Sequence, residues 1–178
     1  GLELAMHCDG LVAAPPPPGK DGNPGKPYPV GLPEAGLSIC PGWGGTNLLP
    51  ARMNPAEAIK RTATGQPMTF DQAKAAGLFD AVAPTPEAIL DTAKAWLKAQ
   101  PQRTTAQRDG APWRWIGRAG KTSILKGLET ARQEIPPVEP AQAVLEAVDI
   151  GLSTGWEAAL ACERRHLVRL RNQPAGKA

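Results

Sequence analysis

Glu3 and Glu34 are the two residues of this chain whose types and settings promise the most chemistry. Two carboxylates brought to one water molecule can divide the work of base and acid between them, which is a way to add water across a double bond. Glu34 stands in the run GLPEAGLSICPGWGGT (31–46), directly after Pro33 and before a short apolar stretch, so its carboxylate is expected to be partly desolvated. Glu3 lies between Leu2 and Leu4, almost at the first residue, so a site built on it is expected to lie partly outside this chain. Taken singly, each glutamate reads more readily as a solvated surface charge, because charged side chains are seldom buried.

The segment PGWGGT (41–46) is a glycine-rich turn entering a helix, and free N–H groups at such a start attract anions or developing negative charge. The glycines serve a tight, closely packed turn just as well. No Gly-Lys-Ser/Thr follows, and no GxGxxG follows a strand, so neither a nucleotide phosphate loop nor a dinucleotide site is indicated. His7 and His166 have no companions at metal-ligand spacing and no nucleophile beside them, so no metal is expected. Trp113, Arg114 and Trp115 form a cluster able to stack on a base or to face a partner, with Arg108 and Arg118 nearby. Lys121 and Lys126 are candidates for neutralising phosphates.

Around these residues the chain is an ordinary globular one. Its 178 residues suit one domain or a large part of one. A net charge of +3 is too small to imply nucleic acid and is compatible with an anionic small molecule. The three cysteines, Cys8, Cys40 and Cys162, are widely spaced and odd in number, which suggests neither a disulfide framework nor a zinc site and points to a reducing, cytoplasmic setting. No apolar run is long enough to span a bilayer. The first residue is not methionine, so the chain is expected to begin downstream of a natural start.

Helical punctuation is clear along most of the sequence. Residues 2–8 read as the tail of a helix ending near Asp9, 10–14 as a short buried strand, and the Pro/Gly-rich stretch 15–29 as an exposed loop. Asn54 with Pro55 opens a helix that stops at Gly65; Thr69 and Gln72 form a capping-box pattern for a helix over 70–76 that stops at Gly77. Thr85, Pro86 and Glu87 open another, whose Ile89, Ala93, Trp96 and Leu97 recur at helical spacing and are expected in the core. Residues 100–119 read as a polar excursion. Helices are expected over 120–134, over 140–151 with Ala143, Val144, Ala147 and Val148 on one face, and over 156–171 with Leu160, Leu167 and Leu170 as its apolar members.

The ordered runs GLELAMHCDGLVAA, GLPEAGLSICPGWGGTNLLP and ATGQPMTFDQAKAAGLFDAVAP resemble the enoyl-CoA hydratase/isomerase family, the crotonase superfamily. Its motifs are a GxELA helix, then a strand, GxPE, PGxGGT and a TGxxxxAxxAxxxGLVxxVVP-like segment, in which Thr64, Gly65, Ala73, Ala76, Gly77, Leu78 and Val82 take the matching places. Residues 135–170, with Gly151, Gly155 and Glu163, are similar to the end of the hydratase/isomerase domain of multifunctional fatty-acid oxidation proteins. The resemblance implies an α/β, crotonase-like (ββα spiral) fold of which this chain is the later part. Residues 1–99 would supply the end of the core, with loop 15–29, and residues 100–178 a helical C-terminal layer of the same domain.

It implies further that Glu3 and Glu34 hold the water added to the 2,3-double bond of an enoyl-CoA thioester, with Gly31, Pro33 and Gly42 as substrate-binding positions. Which carboxylate is acid and which base is left open, because two close carboxylates titrate as a pair. Coenzyme A enters as part of the substrate, with no separate cofactor; the partners implied are an acyl-CoA and further copies of the chain, as a trimer or hexamer, or the other domains of a multifunctional protein. Two backbone N–H groups hold the thioester oxygen in this family. Both fall upstream of Gly1, so the isolated polypeptide is expected not to catalyse hydration. Two departures are visible: Asn47 and Leu48 follow Thr46 where Gln-Arg is frequent, and loop 15–29 is long. That loop can alter how Glu34 is presented, cover the pocket, or be a tolerated surface insertion. Other superfamily reactions, isomerisation and hydrolysis among them, and a non-catalytic oligomerisation role remain alternatives.

Overall fold

The computed structural model describes residues 1–20, 23, 25–100 and 110–177. The described residues form helices α1 (Leu2–Met6), α2 (Gly45–Arg52), α3 (Pro55–Thr64), α4 (Phe70–Ala75), α5 (Ile89–Ala99), α6 (Pro112–Ile116), α7 (Lys121–Glu134), α8 (Glu139–Ser153) and α9 (Trp156–Arg171) and a small parallel sheet of β1 (Val12–Ala13) and β2 (Ala81–Val82), on which α5 packs. Val12 pairs with Ala81 and Ala13 with Val82, and Asp80 and Ala83 extend the ladder through the Leu11 and Ala13 carbonyls.

Local chemistry sets most helix ends where the punctuation places them. The Asn54 side chain accepts from the Glu57 N–H, and Gly65 closes α3 in the left-handed region at φ 65°. Thr69 and Gln72 exchange both bonds of a capping box at the start of α4. At the start of α5 the Thr85-Pro86 signal produces a tight turn instead, with Ala88 N–H on the Thr85 carbonyl and Ile89 N–H on that of Pro86, so α-helical structure begins only at Ile89.

Two apolar cores meet at α2. One is built from α3, α7 and α8 around Ile59, Leu128, Val144 and Val148; the other joins α1, β1 and the α3–α4 region around Met6, Leu11, Met68 and Leu78. All eight residues of α2 are buried, Ala51 belonging to the first core and Leu48 and Leu49 to the second. Four aliphatic positions of α8, Ala143, Val144, Ala147 and Val148, are buried as their spacing requires.

Two expectations need correction. Ile89, Ala93, Trp96 and Leu97 of α5 are not core: the helix buries none of its residues, Leu97 is 62% exposed, and Trp96 rests over Gly10 at the sheet. Periodicity marks an apolar face but not whether anything covers it. Trp113 and Trp115 are not a free stacking platform, because α6 turns Trp113 onto one core and Trp115 onto the other. Arg108 lies outside the described residues. Arg118 is a structural tie: its guanidinium donates to the Gly77 and Leu78 carbonyls and pairs with Asp80 at 2.6 Å.

Asp80 also accepts from the Leu11 N–H and pairs with buried Arg52, whose other nitrogen donates to the Met6 and Cys8 carbonyls. This network anchors the end of α1, and with it Glu3, to α2 and the sheet. Helix α8 approaches α2 most closely at Gly151, where an added Cβ would lie 1.9 Å from Asn47 Oδ1. Asn47 cannot simply swing away, since its amide donates to Thr46 Oγ1 and to the Ala147 carbonyl. Gly151→Ala is therefore expected to destabilise the protein by about 1–3 kcal/mol in denaturant unfolding, as overpacking of a fixed contact does.

Candidate active site

The site is organised by four successive backbone amides, residues 43–46, where the glycine-rich turn becomes α2. Glu3 Oε1 accepts from Trp43 N and Gly45 N, both at 2.9 Å. Glu163, from α9, takes the alternate pair: Oε2 accepts from Gly44 N at 2.5 Å, and Oε1 accepts from Thr46 N at 2.9 Å and from the Thr46 hydroxyl at 2.5 Å. Gly44 adopts φ 93°, a left-handed conformation that a side chain would strain. Gly45 leaves room for the acid, since a Cβ there would lie 2.8 Å from Glu3 Oε1. The anion attraction expected of this turn is satisfied by the protein's own carboxylates.

Glu34 begins a short 3-10 turn, Glu34–Leu37, that packs against the end of α3. The fit requires glycine at position 65, where a Cβ would meet the Gly36 nitrogen at 2.1 Å and the Pro33 carbonyl at 2.8 Å. Glu34 Oε2 is buried and has no hydrogen-bond partner among the described residues. Burial raises the Glu34 carboxyl above the ordinary range, and the charge of Glu3 raises it further, against a lowering from its own backbone hydrogen bond. The two glutamates expected from the sequence thus lie within electrostatic reach of each other in unlike surroundings.

Their chain neighbours Leu2 and Pro33 line a largely apolar cleft of about 860 Å³, whose lining includes neither glutamate. Leu2 and Ala5 of α1, Leu11 and the following Val12 of β1, and Tyr28 of the long loop line it, together with Gly31 and Pro33. The Tyr28 hydroxyl donates to the Ala14 carbonyl, so the ring offers its apolar body to the cleft. Gly42 is elsewhere: it is buried against Leu167, beside a separate hollow of about 390 Å³ that His7, Trp43 and Leu160 also line. His7 Nε2 donates to the Trp43 carbonyl at 2.7 Å. Lys121 and Lys126 are exposed on α7 and do not line the cleft.

A second cluster joins Glu146, Cys162 and His166 across α8 and α9. Arginine only donates, so His166 Nδ1 accepts from Arg169 and Nε2–H donates to Glu146, which also pairs with Arg165. The Arg165 guanidinium already contacts both Glu146 and Cys162, and burial pushes the Cys162 thiol up to about 11. The arrangement is a helix–helix tie. Glu163 is the residue whose role sequence reasoning missed: it was visible only as part of a family-like pattern, because nothing local marks a charge destined for complete burial.

No protein-family model matches the chain. Among curated proteins it is similar to the glyoxysomal fatty acid beta-oxidation multifunctional protein MFP-a of Brassica napus, with 30% identity over 171 residues, 90% of this chain and 21% of that protein. The protein of the same name from Cucumis sativus and the peroxisomal multifunctional protein MFP2 of Arabidopsis thaliana are each 29% identical over the same shares. Its fold is similar to a carnitinyl-CoA dehydratase from Mycobacterium thermoresistibile, with TM-score 0.53 and 20% identity, covering 98% of this chain and 54% of that one. These likenesses show a crotonase-type fold, and they cover 90% of this chain in the multifunctional β-oxidation proteins.

The chain carries part of the α/β crotonase fold with a helical C-terminal layer. It spans about a fifth of the length of the curated relatives. The cytoplasmic expectation is corrected, since these relatives are glyoxysomal and peroxisomal proteins. Unpaired cysteines report a thiol state and do not distinguish the cytosol from an organelle.

Glu163, with no exposed surface, is pushed up to about 7, burial outweighing its three donors. A carboxyl whose folded-state value lies above its unfolded one holds its proton more tightly in the folded protein. Its contribution to stability is therefore fully present below about pH 4.5 and is lost as the pH rises through about 7. Compared with a Glu163→Gln variant, wild-type stability is expected to fall by up to about 3 kcal/mol across that window, read from denaturant unfolding at a series of pH values.

Proposed function

We propose that Glu3 and Glu34 are the acid/base pair of a 2-enoyl-CoA hydratase acting in fatty-acid β-oxidation, adding water across the 2,3-double bond to give the 3-hydroxyacyl-CoA. The observation that carries this reading is the asymmetry of the pair. Glu34 presents a buried, unpartnered oxygen and a carboxyl that burial raises, the direction that suits a proton donor. Glu3 has one oxygen committed to two backbone donors and the other left for a water. In the proposed reaction Glu3 accepts a proton from that water as it attacks C3, and Glu34 protonates C2.

Gly31 and Pro33 would contact the substrate along the cleft wall, whose apolar lining suits an acyl chain. Coenzyme A arrives with the substrate, and the reaction draws on no other cofactor. Glu3→Gln and Glu34→Gln, each made in the intact protein, are expected to lower kcat for hydration of a short 2-enoyl-CoA by about 10²–10⁴-fold with little change in KM. Loss of the conjugated thioester absorbance follows the reaction, and an unchanged rate in either variant removes the two-glutamate mechanism. Running the same panel with 3-enoyl-CoA separates hydration from double-bond isomerisation.

A further inference from the structure

The reaction just proposed makes no use of Glu163, yet among the described residues it is the one carboxylate with no exposed surface. Burying a charge is costly unless hydrogen bonds replace its water, and three donors here converge on it. The direction of each is fixed. Asn47 donates to Thr46 Oγ1, which turns the Thr46 hydroxyl proton toward Glu163. The peptide between Trp43 and Gly44 is held at both ends, its carbonyl by His7 and its N–H by Glu163.

The amides of 43 and 45, the two that hold Glu3, alternate with the two that Glu163 holds. In so short a run the planes cannot turn independently. Gly44, already at φ 93° and free of side-chain restraint, is where the turn would reorganise if one set of contacts were lost.

We infer that Glu163 is a positioning residue for Glu3: by fixing the amides of Gly44 and Thr46 it aims those of Trp43 and Gly45 at the Glu3 carboxylate and sets which oxygen faces the substrate. The inference rests on the hydratase reading. The titratable groups facing Glu163 are Glu3 from α1 and Cys40 from the segment before α2, with Cys162 on its own helix. Ionisation of Glu163 near pH 7 therefore feeds directly into the geometry of the turn.

The test is Glu163→Gln in the intact protein, which keeps the shape but places an NH2 group against one of the N–H donors. The variant is expected to lose about 10- to 100-fold in kcat for hydration of a short 2-enoyl-CoA, with KM within about twofold, as a small misplacement of a catalytic group does. The step near neutral pH in the kcat profile should disappear. Thr46→Val, which removes a single donor, should give a smaller loss in the same direction. A kcat that falls only in proportion to the folded fraction, or a pH profile that keeps its step, overturns the inference.

Hydrogen exchange resolved to single residues supplies a readout independent of turnover. The Trp43 and Gly45 amides do not touch Glu163, so faster exchange there in Glu163→Gln supports the clamp, and unchanged exchange overturns it. Absence of hydration by the wild-type protein would instead refute the hydratase reading, with the exchange result still deciding whether Glu163 holds the turn.

Discussion

The structure depends on how the first amides of α2 are shared. Helix starts leave N–H groups without partners, and at a buried start water cannot supply them. All of α2 is buried between the two cores, so its N-terminus must be met by acceptors from within the protein. Glu3 and Glu163 provide them from opposite ends of the sequence. Helices α1 and α9 are thereby tied to the same turn, although they lie more than a hundred residues apart. The positive end of the α2 dipole adds to the attraction for both carboxylates.

The same arrangement makes Glu3 and Glu34 unlike each other. Glu3 spends one oxygen on structure and is held in place by it. Glu34 sits on a short turn pressed against Gly65, where burial outweighs the lowering from its own backbone hydrogen bond and leaves one oxygen unpartnered. Environment alone can divide acid from base between two residues of the same type. The network of Arg52, Asp80 and Arg118 belongs to this argument too, because it holds the five-residue α1, too short to be stable alone, in the position from which Glu3 reaches α2.

What was legible in the sequence was local. The ends of α3 and α4 follow from Asn54, Gly65, Thr69 and Gln72, whose side chains or backbone conformations act within a few residues. The face of α8 follows from spacing, because a partner covers it. Leu97 shows the same spacing without a partner and stays exposed. Glu34 stood out through its neighbours Pro33 and Gly31, while Gly42, read beside them as substrate-binding, packs against Leu167. That separation is decided by α9, well over a hundred residues downstream. The depth of Glu163 is likewise a product of tertiary packing, and no window of sequence around it contains Gly44 or Thr46.

The described residues of loop 15–29 are anchored so that they line the cleft without reaching the turn that carries Glu34. The base of the loop is closed by the Tyr28 hydroxyl on the Ala14 carbonyl, and Gly25 packs directly over the Pro17 carbonyl. Immediately beyond it, Val30 and Met68 exchange both backbone hydrogen bonds at 2.8 Å. That bridge stands between the loop and Glu34, so the 3-10 turn is set by its contacts with α3 and not by loop length. Pro15, Pro17 and Tyr28 do form part of the cleft wall. The cost of closing a longer loop rises slowly, so its length is tolerated while its ends line the cleft.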